Sequence, residues 1–139
     1  MKKLISLLIV LCLSGTVLLA QSTPSSSAKK ERKKNLVIKE FNQKAGSTTS
    51  YLDNVRTFDE MGRKIEEIEY ASYGQKCRTT YEYEGNSKRC VKQVEYNEKD
   101  KPVKIRKFEY NENGTKARQL TYGPNGKLLS TKKYEYSYK

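Results

Sequence analysis

The sequence predicts an all-β fold, an antiparallel meander of about seven to eight strands in a curled or single-layer repeat sheet. First, an aromatic residue recurs at intervals of 12 to 14 residues between Phe58 and Tyr136. Second, most of these aromatics are followed at once by turn-forming residues such as Asn, Asp and Gly. Third, the segments between the turns are about eight residues long and rich in Tyr, Val, Ile and Thr, which is typical of strands joined by hairpins.

The turns define the bounds of the predicted strands. These strands are 35–41, 50–58, 63–70, 76–83, 89–96, 103–110, 116–122 and 127–136. Strand 76–83 alternates most clearly, with Cys77, Thr79 and Tyr81 on one face and charged or polar residues on the other. In strand 103–110, Val103 and Ile105 are expected on the face opposite Phe108 and Tyr110, which indicates a bulge near Lys107 or a sheet partly covered on both sides.

The predicted strands are poor in large aliphatic side chains. A two-layer sandwich needs one continuous apolar face on each sheet, and the scattered Leu, Ile and Val residues do not supply it. The chain has 11 tyrosines, whose rings can pack while their hydroxyls stay in water. We therefore expect a thin sheet in which tyrosine replaces part of a conventional core.

Residues 1–20 are predicted to be a signal peptide. Lys2 and Lys3 precede an apolar stretch, and a small residue, Ala20, stands before a polar run as a plausible cleavage site. The chain is therefore predicted to be exported, to the periplasm, the outer membrane or the medium, with no stable transmembrane segment after cleavage. A lipoprotein attached through Cys12 is the less favoured alternative, because Leu11 stands where a small residue is expected.

The rest of the chain divides into a linker and one domain. Residues 21–34 (QSTPSSSAKKERKK) carry five basic residues and one acidic residue, so we predict a disordered basic, Ser-rich linker. Residues 35–139 have the size of one β-repeat domain. Cleavage after Ala20 would leave 26 basic and 16 acidic residues.

Two cysteines would remain after cleavage, Cys77 and Cys90, and export makes a disulfide between them possible. The predicted strand register argues against this disulfide. With Gly85 and Asn86 as a hairpin turn, Cys90 would face Tyr81, about 13 Å along the ladder from Cys77. In strand 89–96, Cys90 is expected to share a face with Val94 and Tyr96.

The residues needed for common catalytic sites are scarce. The chain has no histidine, which removes the usual general base and the common metal ligand. Glu66, Glu67 and Glu69 form the nearest approach to an acidic cluster, but Glu67 and Glu69 would share a face with basic neighbours. We predict no enzyme, no cofactor and no metal, and keep a glutamate-based enzyme as the alternative to test.

Several turns resemble known repeats. The segment 58–65 (FDEMGRKI) resembles the YD-type repeat of bacterial RHS proteins, and 110–116 (YNENGTK) and 122–128 (YGPNGKL) are looser copies. The same turns are similar to the Asn-Gly-Lys hairpins of MORN-like secreted proteins. The resemblance implies a β-repeat array outside the cytoplasm, and members of these families serve as shells, surface proteins, or toxin-associated and immunity partners. This chain has too few repeats to close a shell, so encapsulation is not expected of it. The segment 97–102 departs from the repeats because it lacks the expected glycine.

Two functions follow as hypotheses. The first is a non-catalytic exported or cell-envelope protein that binds a protein or glycan partner or serves as a structural component. The second is a polyanion-binding protein for acidic glycan, lipopolysaccharide or, less favoured, nucleic acid. Its candidate residues are Arg78, Tyr81, Arg89, Lys92, Lys104, Arg106 and Arg118. The competing explanation is that these charges form cross-strand pairs on a solvated sheet.

Overall fold

The computed structural model describes residues 33–137; the predicted signal peptide 1–20 and linker residues 21–32 lie outside them. Eight strands form one antiparallel sheet in sequence order. They are β1 (Val37–Gln43), β2 (Ser50–Phe58), β3 (Lys64–Ala71), β4 (Gly74–Tyr83), β5 (Cys90–Tyr96), β6 (Pro102–Tyr110), β7 (Lys116–Tyr122) and β8 (Leu128–Lys133). The predicted all-β meander is confirmed.

The largest difference from the predicted bounds is at the last strand. β8 ends at Lys133 and not at residue 136. The backbone still follows β7 for at least one more residue, because the Tyr134 amide donates to the Ala117 carbonyl at 3.0 Å.

The register assigns side chains to two faces, since directly paired residues point to the same side of a sheet. We call one side the front face; it carries the cross-strand row Arg56, Glu67, Thr79, Glu95 and Lys104. The other side is the back face; it carries the row Thr57, Glu66, Thr80, Val94, Ile105 and Tyr122. The turns after Phe58, Tyr83 and Tyr110 lie at the upper end of the strands, and those after Tyr96 and Tyr122 at the lower end.

Four hairpins share one five-residue turn. In each, the amide of the first residue donates to the carbonyl of the fifth, as from Asp59 to Arg63 at 2.9 Å and from Asn97 to Lys101 at 2.9 Å. The fourth residue has a positive φ, which favours glycine. Gly62, Gly114 and Gly126 occupy this position in three of the turns. In the remaining turn, residues 97–101, it is occupied by Asp100 with φ 54°. The segment 97–102 therefore forms the same turn without glycine.

A bulge follows each of these four turns, and a fifth follows the longer turn between β4 and β5. In the strand that follows the turn, the second residue has no partner on the neighbouring strand. These residues are Ile65, Val91, Val103, Ala117 and Leu129. No bulge lies near Lys107, so the other alternative holds: Ile105 and Phe108 lie on opposite faces, and the sheet carries apolar side chains on both.

The regular spacing of the aromatic residues reflects their positions in the sheet. Phe58, Tyr83 and Tyr110 lie on the front face at the upper end of their strands, and Tyr70, Tyr96 and Tyr122 lie on the back face at the lower end. Successive aromatics thus alternate in face and end, and the true repeat is a two-strand unit of 25 to 27 residues.

Very little of the sheet is buried. Among the described hydrophobic residues only Phe58 (7% exposed) and Val94 (6%) count as buried. Tyrosines cover the front face instead, and their hydroxyls donate to backbone carbonyls of the neighbouring, preceding strand: Tyr83 to Lys64 at 2.7 Å, Tyr110 to Cys90 at 2.8 Å and Tyr136 to Lys116 at 2.9 Å.

Candidate functional site

The seven candidate polyanion-binding residues do not share one surface. Tyr81, Lys104 and Arg106 lie on the front face, whereas Arg78, Lys92 and Arg118 lie on the back face. Arg89 follows the turn at the upper end, after β4. The structure brings together only Lys104 and Arg106, which both contact Glu95 at 3.7 Å and 3.2 Å.

Every basic member of the set has a carboxylate partner. Arg78 contacts Glu66 at 3.3 Å and Asp100 at 2.9 Å. The remaining pairs are Lys92 with Glu82 at 2.8 Å, Arg118 with Glu109 at 2.6 Å and Arg89 with Glu84 at 3.3 Å. Exposed pairs of this kind contribute up to about 1 kcal/mol each and lower the positive potential of the surface.

Tyr81 is covered on the front face. The Lys64 ammonium lies 4.7 Å from its ring centroid, and its hydroxyl lies 3.2 Å from a carboxylate oxygen of Glu67. Burial raises the pKa of Tyr81, although the Lys64 ammonium opposes this effect. The Lys64 ammonium thus occupies one face of the Tyr81 ring, where a ligand would otherwise stack.

The glutamates of β3 are ion-paired and do not form one cluster. Glu67 and Glu69 lie on the front face and Glu66 on the back face. Their partners are Lys64 at 2.6 Å, Lys76 at 3.1 Å and Arg78 at 3.3 Å, respectively. Burial alone would raise the pKa of Glu67, but hydrogen bonding and charge from Lys64 outweigh it and lower the pKa. A general acid for glycoside hydrolysis needs the opposite shift.

Both cysteines are free thiols on the front face. Cys90 pairs with Tyr83, and not with Tyr81, because the turn after β4 is longer than two residues. The bulge at Val91 also places Cys90 on the face opposite Val94, which corrects the expected grouping. The thiols lie six positions apart along the ladder, about 20 Å, far beyond disulfide reach.

Burial also determines the chemistry of these thiols. It is the largest cause of the raised pKa of Cys77 and of Cys90. A raised pKa keeps both groups protonated near neutral pH, whereas a nucleophilic cysteine needs a thiolate.

Sequence reasoning missed an uneven distribution of charge along the chain. Residues 33–100 hold 13 basic and 12 acidic side chains, whereas residues 101–137 hold nine basic and three acidic ones. Most of the net positive charge of the described part therefore lies in β6, β7 and β8 and their turns. Counting charge by segment would have found this signal.

The back face of β5 to β8 contains an unusual arrangement of cations. Lys92 lies directly opposite Lys107, and Arg118 lies directly opposite Lys133. We call these four residues the cation band. Lys107 and Lys133 were not among the candidates from sequence. The Lys107 ammonium lies 5.5 Å from the ring centroid of Tyr122.

A shallow groove lies at the lower end, near β2 and β3. Its volume is about 660 Å³, and its lining includes Tyr51, Asp53, Tyr70, Ser47 and Thr49. It is open to solvent and does not enclose a substrate.

Residues 33–137 contain neither a metal-binding cluster nor a membrane-spanning helix. Within this span, no group of three or more His, Cys, Asp or Glu side chains could hold a metal ion. Nor does any helix there have the length and hydropathy to cross a membrane.

The chain was compared with protein families, curated proteins and solved structures, and a match was found among the solved structures. No protein family and no curated protein matches the sequence, so the resemblance to RHS and MORN-like repeats stays a prediction. Among solved structures, the chain is similar to TarM from S. aureus, crystallised as a glycine-to-arginine mutant in complex with fondaparinux, alpha-GlcNAc-glycerol and UDP. The sequences are 17% identical, the TM-score is 0.29, and the match covers 74% of this chain and 20% of that chain. The chain spans about a fifth of TarM, and so low a TM-score supports no conclusion about function.

Proposed function

We propose that this chain is a non-catalytic, exported β-repeat protein that binds another macromolecule at the cell envelope or forms part of a surface structure. One observation carries the proposal: the described sheet is a single layer whose two faces and two edge strands are open to solvent. Such a sheet offers a wide, flat surface and no enclosed site, which suits recognition of a large partner better than turnover of a small substrate.

The faces are better suited to binding than the edges. Edge strands can pair with a further strand from a partner, but charged side chains on an edge, lysine above all, discourage this. β1 carries Lys39, and β8 carries Lys132 and Lys133. We therefore propose recognition through side chains of a face and not through backbone pairing.

Export and the lack of catalysis rest on the sequence. The predicted signal peptide supports export, and the absence of histidine, together with the ion-paired glutamates of β3, supports a binding role. Substituting Glu66, Glu67 and Glu69 by Gln one at a time is expected to leave any associated activity unchanged. Loss of an activity in one variant would favour an enzyme.

Affinity capture tests the binding role. The purified tagged residues 21–139 are incubated with cell-envelope extract, and tag-only resin serves as the control. We expect an enriched protein or glycan, together with a shift to larger mass in light scattering. A monodisperse monomer that captures nothing from any fraction would contradict the proposal.

Polyanion binding is a second candidate function, favoured by the excess of nine basic over three acidic residues in 101–137. A basic sheet attracts polyanions by releasing their counterions, so its affinity must fall as salt rises. We expect heparin binding to weaken at least tenfold between about 50 and 200 mM salt. An affinity that stays constant over this range would refute the electrostatic account.

A further inference from the structure

We propose that the cation band of the back face, formed by Lys92, Lys107, Arg118 and Lys133, is the binding site for a linear acidic polysaccharide. The inference rests on the polyanion-binding candidate function and assigns it a place and a ligand class. It differs from the sequence-based candidates because two of its four residues, Lys107 and Lys133, were not among them.

The first observation is the pairing of like charges. Six cross-strand pairs in the described sheet place two charged residues directly opposite each other. Four join opposite charges: Arg56 with Glu67, Glu82 with Lys92, Glu95 with Lys104 and Glu109 with Arg118. The other two, Lys92 with Lys107 and Arg118 with Lys133, join like charges, and both lie in the cation band. Like charges directly opposite each other are destabilising, and an anion between them would remove the repulsion.

The second observation is incomplete neutralisation. Glu82 pairs with Lys92 at 2.8 Å, and Glu109 pairs with Arg118 at 2.6 Å. Among the ion pairs that the structure describes, neither Lys107 nor Lys133 contacts a carboxylate. The band therefore has two unneutralised ammonium groups, each beside a cation that is itself paired, and an acidic ligand could contact all four.

The register also determines the shape of the site. The band crosses the four neighbouring strands β5 to β8. Directly paired side chains are about 5 Å apart, and the diagonal step from Lys107 to Arg118 is about 7–8 Å. A linear polymer with repeated anionic groups can follow this oblique line, whereas a single small anion would contact only one pair.

The neighbouring rings favour a polysaccharide over single-stranded nucleic acid. Nucleic acid binds such sheets by stacking bases on aromatic side chains. On the back face, the Arg78 guanidinium lies 4.1 Å from the ring centroid of Tyr96, and the Lys107 ammonium lies 5.5 Å from that of Tyr122. Both rings already stack with a cation, so they are poorly available to bases. Carboxylate or sulfate groups on a sugar chain need only the cations.

Two double variants with equal loss of charge test the site. K107Q/K133Q removes the two unneutralised lysines of the band. K116Q/K132Q is the matched control on the front face, because the Lys116 ammonium lies 4.3 Å from the ring centroid of Phe108 and Lys132 lies opposite Gln119 on the neighbouring strand. Binding of fluorescent heparin is measured for all three proteins at several salt concentrations, with circular dichroism to verify folding.

We expect K107Q/K133Q to lose about tenfold or more in heparin affinity and its salt slope to fall by about two, one for each lost contact. The control is expected to change by less than about threefold, because its charges are screened from the site at moderate salt. The thermal midpoint of unliganded K107Q/K133Q should not decrease, since the substitution relieves repulsion, and its upward shift on adding heparin should largely disappear.

The outcomes separate the site from the function. Equal losses in both double variants, with binding by the unsubstituted protein, would overturn the cation band and leave polyanion binding in place. No binding of heparin by the unsubstituted protein at low salt would overturn both. Tighter binding of single-stranded oligothymidine than of heparin at equal salt would overturn the ligand class.

Discussion

Three tyrosine hydroxyls donate to a backbone carbonyl at the start of the neighbouring, preceding strand. Tyr83, Tyr110 and Tyr136 bond the carbonyls of Lys64, Cys90 and Lys116, the residues that open β3, β5 and β7. These residues pair with the aromatics that close the previous strands, so the bond has the same place in each repeat. In a sheet with two buried hydrophobic residues among those described, such bonds replace part of the missing core.

Removing one hydroxyl tests this role. Y83F keeps the ring but leaves the Lys64 carbonyl without its partner, so we expect the free energy of unfolding to fall by about 1 kcal/mol. Y136F is the control: Tyr136 is 51% exposed, and water can replace its bond to Lys116, so a smaller loss is expected. Urea denaturation followed by circular dichroism measures both. Equal losses would mean that burial does not determine the strength of the bond.

The raised pKa of Tyr83 predicts how the stability of the protein changes with pH. Burial is the main reason that the pKa of Tyr83 rises from 10.0 to about 12. A pKa raised in the folded state adds stability below the unfolded value, and this stability is lost as pH rises from about 10 to about 12. The stability of the unsubstituted protein should therefore fall more steeply than that of Y83F over this range. Phenolate absorbance should show one fewer late-titrating group in Y83F; identical titrations would contradict the assignment.

At the scale of elements, the sequence predicts strands and turns well because both depend on local chemistry. The turn residues after each aromatic determine where a strand must end, and all eight predicted strands are present. Asp100 was harder to predict, since an L-residue with positive φ carries no glycine signal. The structure shows that the hydrogen bonds of the turn are the same as in its glycine-containing copies.

The faces were harder to predict than the strands. A bulge of one residue changes the side on which every residue before it points. Cys90 was assigned to the face of Val94 because the bulge at Val91 has no distinctive residue. For the same reason the sequence could not show which face of the sheet each candidate basic residue occupies. The excess of basic over acidic residues in 101–137, by contrast, can be counted from the sequence alone.

Burial of single side chains determines how much each strand contributes. Val94 in β5 is 6% exposed, whereas Val103 in β6 is a bulge residue and 37% exposed. We expect V94A to lower the free energy of unfolding by about 2 kcal/mol, from lost burial and a poorly filled space. V103A makes the same chemical change and should stay within about 0.5 kcal/mol. Denaturant midpoints compare the two; a larger loss from V103A would show that the bulges carry the packing.

At the scale of the whole molecule, the contacts between strands follow the order of the strands across the sheet. Within residues 33–137, strand-to-strand contacts join only consecutive strands, from β1 with β2 through to β7 with β8. A sheet without a second layer therefore has the connectivity of a repeat protein, in which stability is a sum of local and nearest-neighbour terms. Central strands have two neighbours, and β1 and β8 have one.

This connectivity predicts a gradient in local stability. Opening from an edge breaks one interface at a time, so amide protection against hydrogen exchange should be highest in β4 and β5 and fall step by step toward β1 and β8. The exposed β8 should exchange first, because all six of its residues are exposed and only β7 pairs with it. Hydrogen exchange followed by mass spectrometry of peptides from each strand measures the profile. Uniform protection across all eight strands would show that the sheet opens as one cooperative unit, in which nearest-neighbour terms do not determine its stability.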